Sequence, residues 1–158
     1  TIITASLDQT ALLFTPELKQ KLSARGLNFH DAVILASIVE KEVSNLDDKP
    51  TVAQVFLRRL EIGMMLGSDV TAYYGAIINK LPPTVATDTP YNTRIYTGLP
   101  PGPISNISAS SINAIANPSD TDYLFFVAGD DGKTYFSRTN EEHEALTAEH
   151  CIELCAIP

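Results

Sequence analysis

The chain has 158 residues, 44% of them hydrophobic and 19% charged, and 11 Lys and Arg against 19 Asp and Glu leave a net charge of −8. That length suffices for one domain with a sizeable core, and the acidic balance excludes nucleic acid and anionic membrane surfaces as main partners, because phosphate backbones are bound through clustered Lys and Arg. Arg58-Arg59 is too small a basic cluster to change that, and no apolar run reaches the roughly 18 to 20 residues that span a bilayer.

In chain order, Thr1-Ile2-Ile3-Thr4 has neither an initiator Met nor a basic n-region, and reads as the start of a piece of a longer protein. Thr15 to Leu22 predicts a short helix, with Thr15 as N-cap and Pro16 at the first helical position. A stronger helix is predicted from about Phe29 to Ser44, and a third follows Lys49-Pro50-Thr51, carrying Val52, Val55, Phe56 and Leu60 on one face until Gly63 stops it. Ser68-Asp69 then caps a helical turn from Val70 to Tyr74. Between Leu81 and Pro103 the density of Pro, Thr, Gly and Asn excludes long regular elements, and a loop of that length inside a compact domain is usually functional. Ser108 to Ala116 predicts a small helix. Tyr123 to Ala128 and Thr134 to Ser137 predict a hairpin turning at Asp130-Asp131-Gly132-Lys133, and Thr139 opens a last helix reaching about Leu154. The expected class is α+β: several helices packed around a small antiparallel sheet, with the long Pro/Thr/Gly-rich loop shaping a cleft.

Cys151 and Cys155 are the only cysteines. Four apart in a segment that reads as helix, they are poorly placed for a disulfide, and no four-ligand set surrounds them, so free, partly packed thiols and no metal are expected.

The helix beginning near Phe29 holds the most informative residues. At about 100° per residue its stretch from Ala32 to Glu42 is apolar almost all the way round, the mark of a buried helix. Glu40 shares a face with Val33, Ala36 and Val43, whereas Glu42, roughly 200° away, sits over Leu35 and Ile38. Directions that diverge so far preclude a close acid–base pair. A carboxyl group held against apolar walls resists ionisation, which suits a general acid that protonates a glycosidic oxygen; a salt-bridged glutamate at a helix end is the structural alternative. Periodicity does not choose between Glu40 and Glu42.

The string Leu35-Ala36-Ser37-Ile38-Val39-Glu40-Lys41-Glu42 resembles the signature of the YceG-like (MltG) family of bacterial endolytic murein transglycosylases. The likeness continues through Val55 to Leu66, Ser68-Asp69, Tyr74-Gly75, Thr89-Pro90-Tyr91-Asn92-Thr93, Gly98 to Ile104, Ala116-Asn117-Pro118, Thr121 to Val127 and Phe136-Ser137-Arg138-Thr139, in the family's order and spacing. The resemblance implies an enzyme that cuts peptidoglycan glycan strands between N-acetylmuramic acid and N-acetylglucosamine and leaves 1,6-anhydromuramic ends, without a cofactor. It puts the catalytic glutamate on Glu40, acting first as acid and then as base. Among candidate substrate contacts, Ser68 and Asp69 read as polar groups of the cleft, with an N-cap as the structural alternative, and Tyr91-Asn92-Thr93 offers a stacking ring and amide hydrogen bonds, a kit that suits an N-acetyl sugar, with core packing as the alternative for Tyr91.

Where the family usually reads Leu-Gln-Thr-Asp-Pro-Thr, this chain has Leu66-Gly67-Ser68-Asp69-Val70-Thr71, so an amide side chain is missing at Gly67. Gly98 to Pro103 is expected to form one wall of the cleft, and His143, matching a Glu-His pair of the family, reads as a satisfied structural histidine. Implied partners are glycan strands and cell-wall synthases. The resemblance also implies a parent protein held at the extracytoplasmic face of the membrane by one N-terminal anchor that this sequence lacks, residues 1–28 being a lead-in at the end of a LysM-like region and 29–158 the catalytic domain. The alternative reading is an inactive wall-binding or synthesis scaffold that keeps the fold.

Overall fold

The structure, a computed structural model, describes residues 13–156; the expectations for residues 1–12 lie outside them. Six α-helices and one hairpin make up its regular elements, apart from a final 3-10 turn, in an α+β arrangement: α1 (Pro16–Ala24), α2 (Phe29–Glu42), α3 (Lys49–Glu61), α4 (Asp69–Ile78), α5 (Ala109–Ala116), β1 (Phe125–Ala128), β2 (Thr134–Ser137) and α6 (Asn140–His150). Among the described residues no helix is long and apolar enough to cross a membrane.

The apolar circumference of α2 is explained by its neighbours. It is packed by α1, α3, α4 and α5 at once, and Ala32, Ile34, Leu35, Ala36, Ile38 and Val39 are all buried. Asn28 starts it by accepting the Asp31 N–H at 3.0 Å, an N-cap that satisfies one of the free amides of the first turn. Thr15 caps α1 in the same way, through the Leu18 N–H at 3.2 Å, and Leu18 and Leu22 join the core formed by α2, α3 and α5.

The hairpin pairs Phe125 with Ser137 and Ala128 with Thr134, and it lies against α3 and α6, with the Phe56 and Phe126 rings edge to face at 5.7 Å. Gly132, at φ +77°, supplies the left-handed residue its turn needs.

Two elements differ from expectation. α4 runs on to Ile78 instead of ending near Tyr74, through Gly75, which allows the long loop to lie directly on the helix: a β-carbon there would sit 2.1 Å from Thr89 Oγ1 and 2.8 Å from Tyr91 Cβ. α6 stops at His150, four residues early, and the cysteines are not free thiols. Cys151 leaves the helix at φ −125°, ψ 69°, and the chain folds back so that Cys151 and Cys155 are bonded with their α-carbons 5.4 Å apart, a normal span for a disulfide. The Asp130 carboxylate holds this tail to the hairpin turn by accepting the N–H groups of Ile152, Glu153 and Leu154 at 2.8–3.0 Å.

The packing at Gly75 gives a direct expectation. Gly75→Ala forces the loop off α4 and lowers the unfolding free energy by about 1–3 kcal/mol, to be read as a reduced denaturant midpoint.

Candidate functional site

The two glutamates of α2 have opposite surroundings. Glu40 faces the N-termini of α3 and α5. Its Oε2 accepts from the Lys49 ammonium at 3.1 Å, the Ser108 N–H at 3.2 Å, and the hydroxyls of Ser108 and Ser111, both at 2.5 Å. Partial burial pushes its pKa up, but the two serine hydroxyls, Lys49 and the Ser108 amide outweigh that and hold it down to about 2. Lys49 is itself buried, and its ammonium also reaches Ser110 and Ser111 at 3.0 and 2.9 Å. Glu40 is therefore ionised at any physiological pH, and its charge balances a buried cation.

Glu42, the last residue of α2, opens onto a cleft of about 290 Å³. Its walls come from α3 (Phe56, Arg59), the approach to α4 (Leu66 to Asp69), Arg94 of the long loop, the hairpin, and His143 and Thr147 of α6. Glu42 Oε1 accepts the Ser68 hydroxyl at 2.5 Å. Burial pushes its pKa up to about 7, with the Asp69 charge adding to the rise, against the downward pull of Ser68 and of the Arg59 cation. At neutral pH this carboxyl is poised between its two protonation states.

Ser68 stands at the N-cap position of α4 but makes no side-chain cap bond; its hydroxyl turns to Glu42 instead. Asp69 lines the rim, paired to Arg94 at 2.6 Å. The other expected contacts are spent inside the fold. Asn92 is fully buried, its amide donating to the carbonyls of Val85 and Thr87 and accepting the Arg94 N–H. Thr93 is buried in a knot with Thr71 and the Ser68 N–H, and the Tyr91 ring packs on Tyr74 at 5.0 Å. These three residues hold the loop so that Arg94 reaches the cleft, and they do not line it. Nor do Gly98 to Pro103, while Gly67 does. Gly67 is left-handed, at φ +65°, and a β-carbon on it would lie 3.0 Å from Arg59 Nη1.

Arg59 is the residue that sequence reading passed over. It follows Val52, Val55 and Phe56 at helical spacing, so its side chain falls on the buried stripe of α3, an unusual position for a cation. There its guanidinium donates to the carbonyls of Leu124 at 2.7 Å and Leu66 at 2.5 Å and lies 5.2 Å from the Phe125 centroid. Arg58, its neighbour, is an exposed partner of Glu61. His143 also departs from expectation: its Nδ1 is enclosed without a hydrogen-bond partner.

With this geometry in view, residues 1–149 match the YceG-like family. The chain belongs to that family. It is 37% identical over 145 residues to the endolytic murein transglycosylase of Bacillus subtilis, covering 90% of this chain and 40% of that one. To the protein of the same name from Streptococcus pneumoniae it is 34% identical over 156 residues, covering 92% and 27%. A yceG-like protein of Listeria monocytogenes has a crystal structure that matches with a TM-score of 0.73 and 40% identity, over 81% of this chain and 43% of that one. The chain spans two fifths or less of the length of these curated relatives.

The opposite environments give this YceG-like chain opposite pH responses at its two glutamates. The raised Glu42 lends stability that is fully present below the unfolded value of 4.5 and is lost as pH rises to about 7; Glu42→Gln removes that loss, so the variant becomes more stable than the parent above pH 7. The lowered Glu40 lends stability above 4.5 that is lost as pH falls toward 2. Glu40→Gln leaves Lys49 without its counter-charge and costs about 2 kcal/mol, below the roughly 3–5 kcal/mol of a fully buried pair, because the Glu40 side chain is 28% exposed. Urea unfolding across pH checks both signs.

Proposed function

We propose that this chain carries the catalytic part of an endolytic murein transglycosylase, and that Glu42 rather than Glu40 is its acid and base. The observation that carries the reading is the contrast on α2: one glutamate is fixed as an anion by a buried lysine and two serines, and the other is a cleft carboxyl whose pKa is pushed up to about 7. A group that must give up a proton and take one back works best when its pKa lies near the operating pH. The names of the relatives supply the substrate class, and the cleft supplies a group suited to the chemistry.

The reaction follows from one carboxyl group. With Ser68 donating to Oε1, the proton of neutral Glu42 sits on Oε2, free to be passed to the glycosidic oxygen between N-acetylmuramic acid and N-acetylglucosamine. As that C–O bond breaks, positive charge develops on the anomeric carbon. The 6-hydroxyl oxygen of the same muramic ring then attacks that carbon and gives its proton to the Glu42 carboxylate, which closes a 1,6-anhydro ring and restores the acid. No water is consumed. Arg59 steadies the carboxylate between the two transfers, and Ser68 keeps its orientation throughout. Asp69 is engaged by Arg94 on the rim, and the mechanism does not call on it as a nucleophile. The substrate named here belongs to the cell wall, which would put the working part of the protein outside the cytoplasmic membrane.

Digestion of uncrosslinked glycan strands by the full-length protein, with product masses read for anhydro ends, tests the reading. Glu42→Gln should lower cleavage by about 10²- to 10⁴-fold, while Glu40→Gln, normalised to folded protein, keeps it. The rate should fall as pH rises above about 7, since the reaction begins from neutral Glu42. Reducing ends in place of anhydro ends would make the protein a hydrolase. Full activity in Glu42→Gln with loss in Glu40→Gln would return the role to Glu40, and an inactive full-length protein that still binds strands would favour the scaffold.

A further inference from the structure

His143 lies in the first turn of α6 and lines the same cleft as Glu42. Its ring stacks on Phe125, with centroids 5.4 Å apart and planes 23° apart, and the same Phe125 ring carries the Arg59 guanidinium at 5.2 Å. Arg59 is the cation whose field acts on both Glu42 and His143, so one arginine links the two groups. Burial, and then the Arg59 charge, keep the His143 pKa below the ordinary histidine value, against a smaller opposite pull from Glu144. The imidazole is therefore neutral at neutral pH and carries a single N–H.

Which nitrogen carries it follows from the enclosure. Nδ1 is shut away from solvent with no partner. An N–H buried without an acceptor is among the rarest defects in folded proteins, and a bare lone pair is more readily tolerated. The proton consequently sits on Nε2. That atom is not among the enclosed, unpaired ones, and no described residue accepts from it. His143 thus offers a donor, held on a rigid aromatic stack, that the fold itself leaves unused.

We propose that His143 is a substrate-positioning residue whose Nε2–H donates to an acceptor oxygen of the glycan, the acetamido carbonyl of an N-acetyl sugar, and so sets the sugar ring against Glu42. This rests on the function proposed above.

The test uses the full-length protein and two substitutions. His143→Phe keeps a ring for the Phe125 stack and removes the donor, and His143→Gln keeps an amide N–H near the Nε2 position. Each is made in the active protein, for KM and kcat on uncrosslinked glycan strands, and in the Glu42→Gln background, for equilibrium binding of the same strands. Loss of one such hydrogen bond should weaken binding and raise KM roughly tenfold in the Phe variant, with the unfolding midpoint unchanged, and the Gln variant should restore most of it. Unchanged binding in the Phe variant, or loss in both variants alike, overturns the role of His143. If the Phe variant fails to fold, a tenfold loss in a folded Gln variant overturns it equally. Failure of the function itself reads differently: the parent protein then cleaves nothing or cleaves without Glu42, whatever residue 143 is.

Discussion

A buried ammonium requires a counter-charge, and Lys49 finds it in Glu40. The pair alone would barely repay the cost of taking two ions out of water. Here Ser108, Ser110 and Ser111 supply further hydrogen bonds to both ions, so the cluster is a bonded polar network at the edge of the apolar core, where Lys49 is buried and the Glu40 side chain is 28% exposed. Its members come from three places: the last turns of α2, the first residue of α3, and the N-terminus of α5. The contact therefore adds a polar anchor to the apolar packing that sets how α2 is rotated about its own axis.

That rotation decides where Glu42 points. With Glu40 tied to the α3 and α5 side, a residue two positions on is turned toward the opposite side, where Ser68, Arg59 and the hairpin enclose the cleft. The chemical contrast then follows from the available partners. One carboxylate is surrounded by a cation and hydroxyls and stays ionised; the other has one hydroxyl, a second negative charge close by, and an arginine already committed to two backbone carbonyls. Gly67 belongs to the same arrangement. A side chain there would press on the Arg59 guanidinium, so the absence of one leaves this cation facing the cleft.

Most of the architecture is legible in the sequence. Helical spacing and caps locate α1, α2, α3 and α5 within a few residues, and the Asp-Gly turn locates the hairpin. The misses have local causes. Gly75 sits inside α4 because a loop packs on it, a tertiary requirement that no local pattern records. The tail after His150 carries helix-like spacing but is captured by Asp130 and the Cys151–Cys155 bond, which local propensity does not foresee. At the site, sequence shows that Glu40 and Glu42 diverge, but not which side holds the cleft, because the serines that claim Glu40 lie 68 and 71 residues further along. Asn92 and Thr93 look like a sugar-binding kit in one dimension and prove to be the internal struts of the loop.

The central claim is a division of labour between two glutamates of one helix, and the protonation of their carboxyl groups reports on it directly. The sharpest measurement is the carboxyl carbon shift of ¹³C-labelled glutamate followed by NMR across pH, with Glu40→Gln and Glu42→Gln to assign the two signals. The account predicts a Glu42 midpoint near 7 and a Glu40 signal that stays ionised down to about 2. A Glu42 midpoint in the ordinary range of glutamate, near 4.5, with Glu40 titrating near neutrality, would contradict it.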